Sequence, residues 1–476
     1  MRTMKIMVDT KTKDILWKIL CVVTVVLALV PIVLATFRNP LGCDEAYYLT
    51  FVERVSEGYD LYGDIHCGYT PLFFYILAGL KLIFNVGYGQ FEFYRAVFFV
   101  FQIFCSFFIY KICREFKINK YFSYIVAWVF LIQIHYMDGN FVLLETPAMA
   151  FGLAGTYLSL NKYNSRYKYL IVGFLYGCSM LCKQYGAGYI AIGLILILLF
   201  EQNRIRKILG MSIGFVLPVL FCLLYWKSDF IMLFFSGYGT SSLEKAGFEV
   251  GLAQKLDTVW YAYKKLCFRF AWVLPMSLLF IALIRKSGYF KQYLLCLSGI
   301  LIFTFQFYFS YSVHYLQFFL PYIAIISAII LFISKSILSK IVSYSSFGLM
   351  TLFAIYSTYH NRVYKLYLKD YKQKQVEYAE KVKSYIDEDK TIWIFHEGLY
   401  YVYYMANVKP PFLDYSFGPL ALDKDRAKQL AESADYVLSY IKDSPYHIFY
   451  TKELKEYVWS HKKVVMDEES VLHIMK

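Results

Sequence analysis

Long apolar runs recur along most of this chain, and they constrain its fold more than any other feature. The runs extend from about residue 20 to residue 356, and many are long enough for a helix of roughly 20 residues to cross a bilayer. Charged residues make up only 18% of the sequence, which is low for a soluble domain. The 47 Tyr and 43 Phe residues suit many membrane–water boundaries, where aromatic rings concentrate. The sequence therefore predicts an all-α polytopic membrane protein.

About eleven transmembrane helices are predicted from these runs. Their approximate ranges are 19–36, 94–110, 121–137, 143–160, 168–182, 184–200, 208–225, 270–284, 292–310, 315–333 and 341–358. A further apolar stretch, 70–84, is shorter and contains Gly79 and Lys81. If it lies flat on the outer face, twenty Lys and Arg residues fall in inner segments and only three in the outer loop 37–93. Because basic residues favour the cytoplasmic side, we predict the flat placement, a cytoplasmic N-terminus and an extracytoplasmic C-terminus in the cell membrane.

The chain divides into two predicted domains. Residues 1–359 form the transmembrane domain, with outer loops 37–93 and 226–269, and residues 360–476 form a small extracytoplasmic α/β domain. Alternating and helical patterns in the second domain predict a few short elements. The predicted strands are 391–395, 435–440 and 471–475, and the predicted helices are 424–432 and 450–458.

The net charge of +14 comes from the membrane part of the chain. Residues 361–476 hold 18 basic and 18 acidic residues, so the excess lies in the short inner loops as an orientation signal. We therefore predict no nucleic-acid partner. The ten cysteines show no metal-binding spacing. Cys43 and Cys67 both fall in the first outer loop, where a disulfide and two free thiols are both open alternatives.

An acidic pair, Asp44-Glu45, follows the first predicted span on the outer side. A carboxylate at this boundary meets both lipid head groups and water-soluble molecules, and it is suited to act as general base on an acceptor hydroxyl. The structural alternative is that Asp44 caps the helix predicted over 46–54.

The residues around this pair resemble a known family. The pattern that begins with DEAYY and continues through GYDLYGD and YTPLFFY to an Arg is similar to the first outer loop of GT-C fold glycosyltransferases. The resemblance is greatest to the bacterial branch related to protein O-mannosyltransferases and aminoarabinose transferases. The matching positions are Asp44-Glu45, Gly58-Tyr59, Tyr69-Thr70-Pro71 and Arg95. Two stretches, 135–148 and 312–321, resemble the family's second acidic outer loop and its basic-Tyr segment before a Pro-containing span.

The resemblance implies a hexosyl- or pentosyltransferase. Such enzymes move a sugar from a polyprenyl-phosphate carrier to an envelope glycan, lipid or protein on the outer face, and a single displacement would invert the anomeric centre. The alternative is a transporter or flippase for a lipid-linked sugar. Transporters usually show inverted repeats and midplane charges, and the sequence shows no internal repeat.

The family layout also implies roles for individual residues. Asp44 is the implied general base, with Glu45 beside it. Lys183, Arg95 and His314 are candidates to hold the phosphate. Each has an alternative: Lys183 as a snorkelling side chain, His314 as a neutral boundary histidine, and Arg95 as a partner of Glu92 or a neighbour of Asp44.

Further substrate-binding candidates surround these residues. Glu145 begins an apolar run, where a carboxylate is costly, and it is a candidate for acceptor positioning or metal binding. Asp138 is the other candidate of the second loop, with a turn role as its alternative. Gln184, Tyr315, His66 and Tyr69 complete the predicted set. A divalent cation would help neutralise the leaving group, but neither loop contains Asp-X-Asp, so the need for a cofactor stays open.

Overall fold

The computed structural model describes most of the chain outside its N-terminal segment. The described residues are 36–65, 67–162, 165–236, 251–270, 273–308, 312–360, 370–395, 397–413, 424–440, 452–468 and 470–476, with isolated positions 15, 19, 23, 30 and 32–34. The predicted first span, 19–36, therefore lies largely outside them.

Helices make up most of the described part. In chain order they are α1 Cys43–Ser56, α2 Leu72–Phe84, α3 Phe91–Glu115, α4 Lys120–Tyr136, α5 Glu145–Leu160, α6 Lys168–Cys182, α7 Gly188–Phe200, α8 Arg204–Ser236, α9 Leu252–Phe270, α10 Val273–Leu279, α11 Ile281–Lys286, α12 Phe290–Thr304, α13 Leu320–Ile333, α14 Ile337–Thr358, α15 Tyr371–Lys383, α16 Tyr401–Met405, α17 Lys424–Ser433 and α18 Lys452–Trp459. Short 3₁₀ helices precede α7 at Gln184–Ala187 and α13 at Val313–Phe319, and others occupy Phe305–Tyr308, Glu397–Leu399 and Pro411–Leu413.

Each predicted span after the first coincides with one or more of these helices. Five described helical stretches are long and apolar enough to cross a membrane by themselves: Phe91–Glu115, Arg204–Lys227, Phe290–Tyr308, Val313–Ile333 and Ile337–Ser357. The predicted span 270–284 contains α10 and α11, which Phe280 separates, and the last residue of α9, while residues 271–272 lie outside the described part. The total of eleven crossings stays a prediction.

The outer surface of α8 shows the character expected of a lipid-facing helix. Large apolar side chains on it stay exposed, among them Phe221 at 68% and Leu224 at 71%. A soluble protein rarely exposes a contiguous apolar face of this kind. The helix departs from helical geometry at Lys227, where φ is 53°, at the end of its membrane-length part. Bilayer contact accounts for this surface.

Helix α2 is the stretch that was predicted to lie flat. Its 13 residues measure roughly 20 Å at about 1.5 Å per residue, which is shorter than the roughly 30 Å hydrocarbon core. Lys81 near its end forms an ion pair with the buried Glu53 of α1. This length and this attachment to α1 fit the flat placement.

The C-terminal segment contains a four-stranded mixed sheet. Its strands are β1 Ile392–Phe395, β2 Tyr436–Tyr440, β3 Lys462–Val465 and β4 Ser470–Ile474, in the spatial order β1-β2-β4-β3. β1 pairs with β2 in parallel, and the other two pairings are antiparallel. The three predicted strands and two predicted helices are present, while β3 and α15 were not predicted.

Both faces of this sheet are covered, which explains why β1 reads as a continuous apolar run. Trp393 and Phe395 join a small core of their own with α17 and α18. Ile392 and Ile394, on the opposite face, join the large core that also contains the aromatic residues of α16 and of α1. The predicted C-terminal domain therefore shares its inner core with the first outer loop.

Candidate active site

Four helical segments begin at one place on the side of the first outer loop. Asp44 is the second residue of α1, and Glu145 is the first residue of α5. Lys183 immediately precedes the helical stretch Gln184–Phe200, and His314 is the second residue of Val313–Ile333. The N-terminus of a helix carries partial positive charge and unpaired backbone N–H groups. The arrangement is therefore suited to an anion.

Side chains from these four starts form a chain of close contacts. Nζ of Lys183 lies 3.1 Å from Oε1 of Glu145, and Nε2 of His314 lies 3.8 Å from the same oxygen. Nδ1 of His314 lies 3.9 Å from Oδ2 of Asp44 and 2.8 Å from Oγ of Ser312. The Asp44 side chain is 40% exposed, whereas that of Glu145 is fully buried. The group thus runs from a buried ion pair to an accessible carboxylate.

Aromatic rings enclose the buried end of this group. Nζ of Lys183 lies 5.4 Å from the ring centre of Tyr69 and 5.2 Å from that of Tyr315, within cation–π range. Burial opposes the charged form of Lys183, but the Glu145 carboxylate outweighs it and holds the pKa of Lys183 above its usual value. Burial also raises the pKa of Tyr48 and Tyr69. Both phenols are therefore neutral at physiological pH.

Glu45 and Arg95 form a second buried ion pair. Nε and Nη2 of Arg95 donate to the two carboxylate oxygens of Glu45 at 2.8 and 2.6 Å. The remaining N–H groups of Arg95 donate to the backbone carbonyls of Thr36, Asn39 and Pro40 at 2.6 to 2.8 Å. An arginine has five N–H donors, and all of them are used here. These contacts leave no donor of Arg95 for Glu92, which pairs with Lys372 instead. The role of Arg95 as a phosphate ligand stays a prediction.

The Glu45 carboxylate also organises the surrounding backbone. It accepts from the N–H of Gly42 at 3.2 Å and from the N–H of Val142 at 3.1 Å. A Cβ at Gly42 would lie 3.2 Å from the Phe141 ring. Because Gly42 occupies the cap position of α1, its hydrogen bond to Glu45 means that Glu45, rather than Asp44, caps the helix. This separates the acidic pair into a buried positioning residue, Glu45, and an exposed candidate base, Asp44.

The remaining predicted residues divide between the site and its supports. Asp138 has a φ of 60° and lies in the turn after α4, as its predicted alternative requires. Nε2 of Gln184 donates to the carbonyl of Gly68 at 3.2 Å, which ties the loop before α2 to the start of α7. Tyr69 and Tyr315 lie around Lys183, and His66 lies outside the described residues. Sequence reasoning missed Tyr48, although it follows Asp44 by one helical turn and so shares its face.

Two questions from the sequence concern a disulfide between Cys43 and Cys67 and the binding of a divalent cation. Neither Cys43 nor Cys67 is joined in a disulfide, so the disulfide alternative is not formed. Among the described residues, no group of three or more His, Cys, Asp or Glu is placed to hold a metal ion. The nearest partner of Glu145 is the Lys183 ammonium, so this carboxylate already faces a positive charge. The need for a divalent cation stays open.

Comparisons with known proteins agree with this geometry at the level of the fold. No protein-family model matches the sequence, and no curated protein matches it. Among solved structures, ArnT from Cupriavidus metallidurans in the apo state, an aminoarabinose transferase with the GT-C fold, superposes with a TM-score of 0.58 at 13% identity, covering 98% of each chain. ArnT bound to undecaprenyl phosphate gives a TM-score of 0.59 at 12% identity, over 97% of this chain and 98% of that one. The chain has the GT-C fold.

A third solved structure is similar to a lesser degree. The Archaeoglobus fulgidus oligosaccharyltransferase, tethered to an acceptor peptide containing the NVT sequon, gives a TM-score of 0.45 at 14% identity, over 87% of this chain and 69% of that chain. The GT-C fold confirms the family resemblance of the first outer loop at the level of architecture. The sequence identities show a shared fold and leave activity to be argued from the site.

Proposed function

We propose that this chain is a membrane glycosyltransferase that moves a sugar from a polyprenyl-phosphate carrier to an acceptor on the outer face. The observation that carries the proposal is the group of Asp44, His314, Glu145 and Lys183 at four helix starts. It combines an accessible carboxylate with buried positive charge at the membrane boundary. The binding of undecaprenyl phosphate by ArnT, which has the same fold, supports a donor of this class.

The proposed reaction assigns the two ends of this group different tasks. The Asp44 carboxylate takes the proton of the acceptor hydroxyl while the oxygen of that hydroxyl attacks the anomeric carbon of the sugar. The bond between that carbon and the phosphate oxygen breaks, and the electron pair leaves with the phosphate. Lys183, His314 and the helix N-termini stabilise the departing charge. Because a single displacement takes place, the anomeric centre is inverted.

The exposures of the two carboxylates support this division. Asp44 is 40% exposed and thus accessible to an acceptor from water. Glu145 is buried and keeps Lys183 charged. Because the Lys183 ammonium supplies positive charge, we propose that the transfer needs no divalent cation, so EDTA should leave its rate unchanged. The acceptor remains an envelope glycan, lipid or protein in this proposal.

The test is transfer by purified protein in proteoliposomes with labelled polyprenyl-phosphate hexoses and pentoses as donors. Asp44→Asn should lower the rate by about 10²- to 10⁴-fold, the usual contribution of a general base. Glu57→Gln is the matched control, because Glu57 follows the other end of α1 and pairs with Arg54. Retained transfer by Asp44→Asn would overturn the base assignment. No transfer by the wild type from any donor would favour the transporter alternative.

The sugar can be identified separately. If the chain consumes one polyprenyl-phosphate sugar, a deletion strain should accumulate that carrier lipid. Mass spectrometry of the lipid extract would show its head group and would choose between hexosyl and pentosyl transfer.

A further inference from the structure

Gln375 of α15 holds the backbone just before the candidate base. Its Oε1 accepts from the N–H of Leu41 at 2.8 Å, and its Nε2 donates to the carbonyl of Leu41 at 3.1 Å. The side-chain amide therefore satisfies both backbone groups of one residue, as a neighbouring strand would. Leu41 lies three positions before Asp44.

The same backbone segment is also held by Arg95. Its guanidinium binds the carbonyls of Thr36, Asn39 and Pro40, and Gln375 binds the residue that follows Pro40. A segment bound at four of its residues has little freedom to shift. Since α1 begins two residues after Leu41, its first turn, which carries Asp44, is placed by these two side chains together.

Helix α15 is itself anchored at several points. Lys372, one turn before Gln375, pairs with Glu92 in the first turn of α3 and lies over the Phe91 ring. On the sheet side, the hydroxyl of Tyr378 lies 2.6 Å from Oγ of Ser470, and Lys381 donates to the carbonyl of Met466. The C-terminal segment is therefore linked through α15 to the start of α1.

We infer that Gln375 is a positioning residue for Asp44, through which the C-terminal segment fixes the orientation of the proposed base. The catalytic part of this inference rests on the proposed function. The two hydrogen bonds between Gln375 and Leu41, called the Leu41 clamp below, do not depend on it. A displacement of about 1 Å at a catalytic group costs up to about 100-fold in rate. Loss of the clamp should therefore lower kcat without removing any group that touches the substrate.

Hydrogen exchange tests the clamp without any assay of activity. In Gln375→Ala, amide exchange of the peptide spanning residues 38–46 should rise about tenfold at Leu41, because one protecting hydrogen bond is lost. Gln373→Ala is the matched control, because Gln373 lies on the same helix, is exposed, and bonds to Glu377. Unchanged exchange in Gln375→Ala would overturn the clamp.

Kinetics test the positioning role. We expect Gln375→Ala to lower kcat about 10- to 100-fold while KM for the donor and the melting temperature stay close to wild type. Gln375→Glu keeps the acceptor for the Leu41 N–H but loses the donor to its carbonyl, so its kcat should be intermediate. Gln373→Ala should behave as wild type.

The outcomes separate the two proposals. Faster exchange at Leu41 with an unchanged kcat would overturn the positioning role and leave the glycosyltransferase proposal intact. A raised KM with an unchanged kcat would also overturn it, because it would indicate a substrate contact. If the wild type transfers no sugar, the proposed function and the role toward Asp44 both fail, while the exchange data still decide the clamp.

Discussion

Two buried ion pairs lie close together in this protein and differ in how fully they are satisfied. Arg95 and Glu45 use all five guanidinium donors and both carboxylate oxygens, and Glu45 also accepts two backbone N–H groups. Lys183 and Glu145 meet at 3.1 Å, yet within the described residues neither oxygen of Glu145 has a partner with hydrogen-bond geometry. The first pair is saturated, whereas the carboxylate oxygens of the second can still accept hydrogen bonds.

This difference has a physical basis. A buried polar group without hydrogen bonds costs roughly 1–3 kcal/mol, so folding favours saturation wherever no ligand is to be bound. Unsaturated charge at a buried position is therefore a sign of function. The two pairs also differ in chemistry: a guanidinium fits planar carboxylate and carbonyl groups, whereas an ammonium is a compact charge that can turn toward a new partner.

The largest expected effect breaks the saturated pair. Arg95→Gln leaves Glu45 buried without its counter-charge, and removal of one partner of a buried pair typically costs about 3–5 kcal/mol. We expect a marked fall in the yield of folded protein and in the melting temperature, measured by size exclusion and thermal unfolding in detergent. Lys372→Gln is the control, because its pair with Glu92 is about one-third exposed and should contribute under about 1 kcal/mol. A stable Arg95→Gln protein without transfer would instead support Arg95 as a phosphate ligand.

A smaller effect on stability is expected when the unsaturated pair is removed as a whole. Replacing both partners of a buried pair is often neutral or even stabilising by about 1–4 kcal/mol. The double variant Lys183→Met with Glu145→Gln should therefore fold normally but lose sugar transfer. Thermal unfolding measures the first effect, and the proteoliposome assay measures the second.

The matching double variant at the saturated pair sharpens the comparison. Arg95→Met with Glu45→Gln should stay destabilised, because the backbone carbonyls that Arg95 binds lose their donors. Equal stability losses in the two double variants would contradict the distinction between a structural and a functional pair.

The smallest effect concerns a buried group without a counter-charge. His473 of β4 lies 3.0 Å from Oγ of Ser439, and burial, followed by Lys463 and His461, lowers its pKa to about 4. The unfolded chain, with an ordinary His pKa of about 6.5, takes up a proton first as the pH falls. The stability tied to His473 is therefore complete above pH 6.5 and is lost progressively as the pH falls towards about 4.

Replacement of His473 should reveal this dependence. In His473→Gln, the melting temperature should depend less on pH between about 6.5 and 4 than in the wild type. Gln373→Ala is the control, since Gln373 is exposed, does not titrate and bonds to Glu377. Identical pH profiles of His473→Gln and the wild type would show that burial without a counter-charge does not keep this histidine neutral.

The predicted elements differ in how well local sequence could define them. Helix α6 matches its predicted range of 168–182, because a membrane helix is marked by its own apolar composition. The span 270–284 was predicted as one helix and is interrupted at Phe280 between α10 and α11, since composition does not report breaks. Strand β3 was missed because three of its four residues are exposed, so it lacks an apolar signal and depends on pairing with β4.

The candidate site divides in the same way. The predicted residues Asp44, Glu145, Lys183 and His314 meet in the structure. The family resemblance implied the roles of Asp44, Lys183 and His314, and Glu145 was marked by its place at the start of an apolar run. Gln375 carried no such signal, since a glutamine on an amphipathic helix is ordinary until its partner is known. Its contact joins residues 334 positions apart.

The sequence by itself determined that this chain enters a membrane, because apolar composition and basic loops act locally and need no knowledge of contacts. It also indicated which charged residues lie at membrane depths where a charge is energetically unfavourable, and these were the candidates for a functional role. Only the tertiary structure decided which of two adjacent carboxylates is buried and saturated, Glu45, and which is exposed, Asp44. That distinction depends on which backbone groups and side chains of distant segments surround each carboxylate, and only folding brings them together.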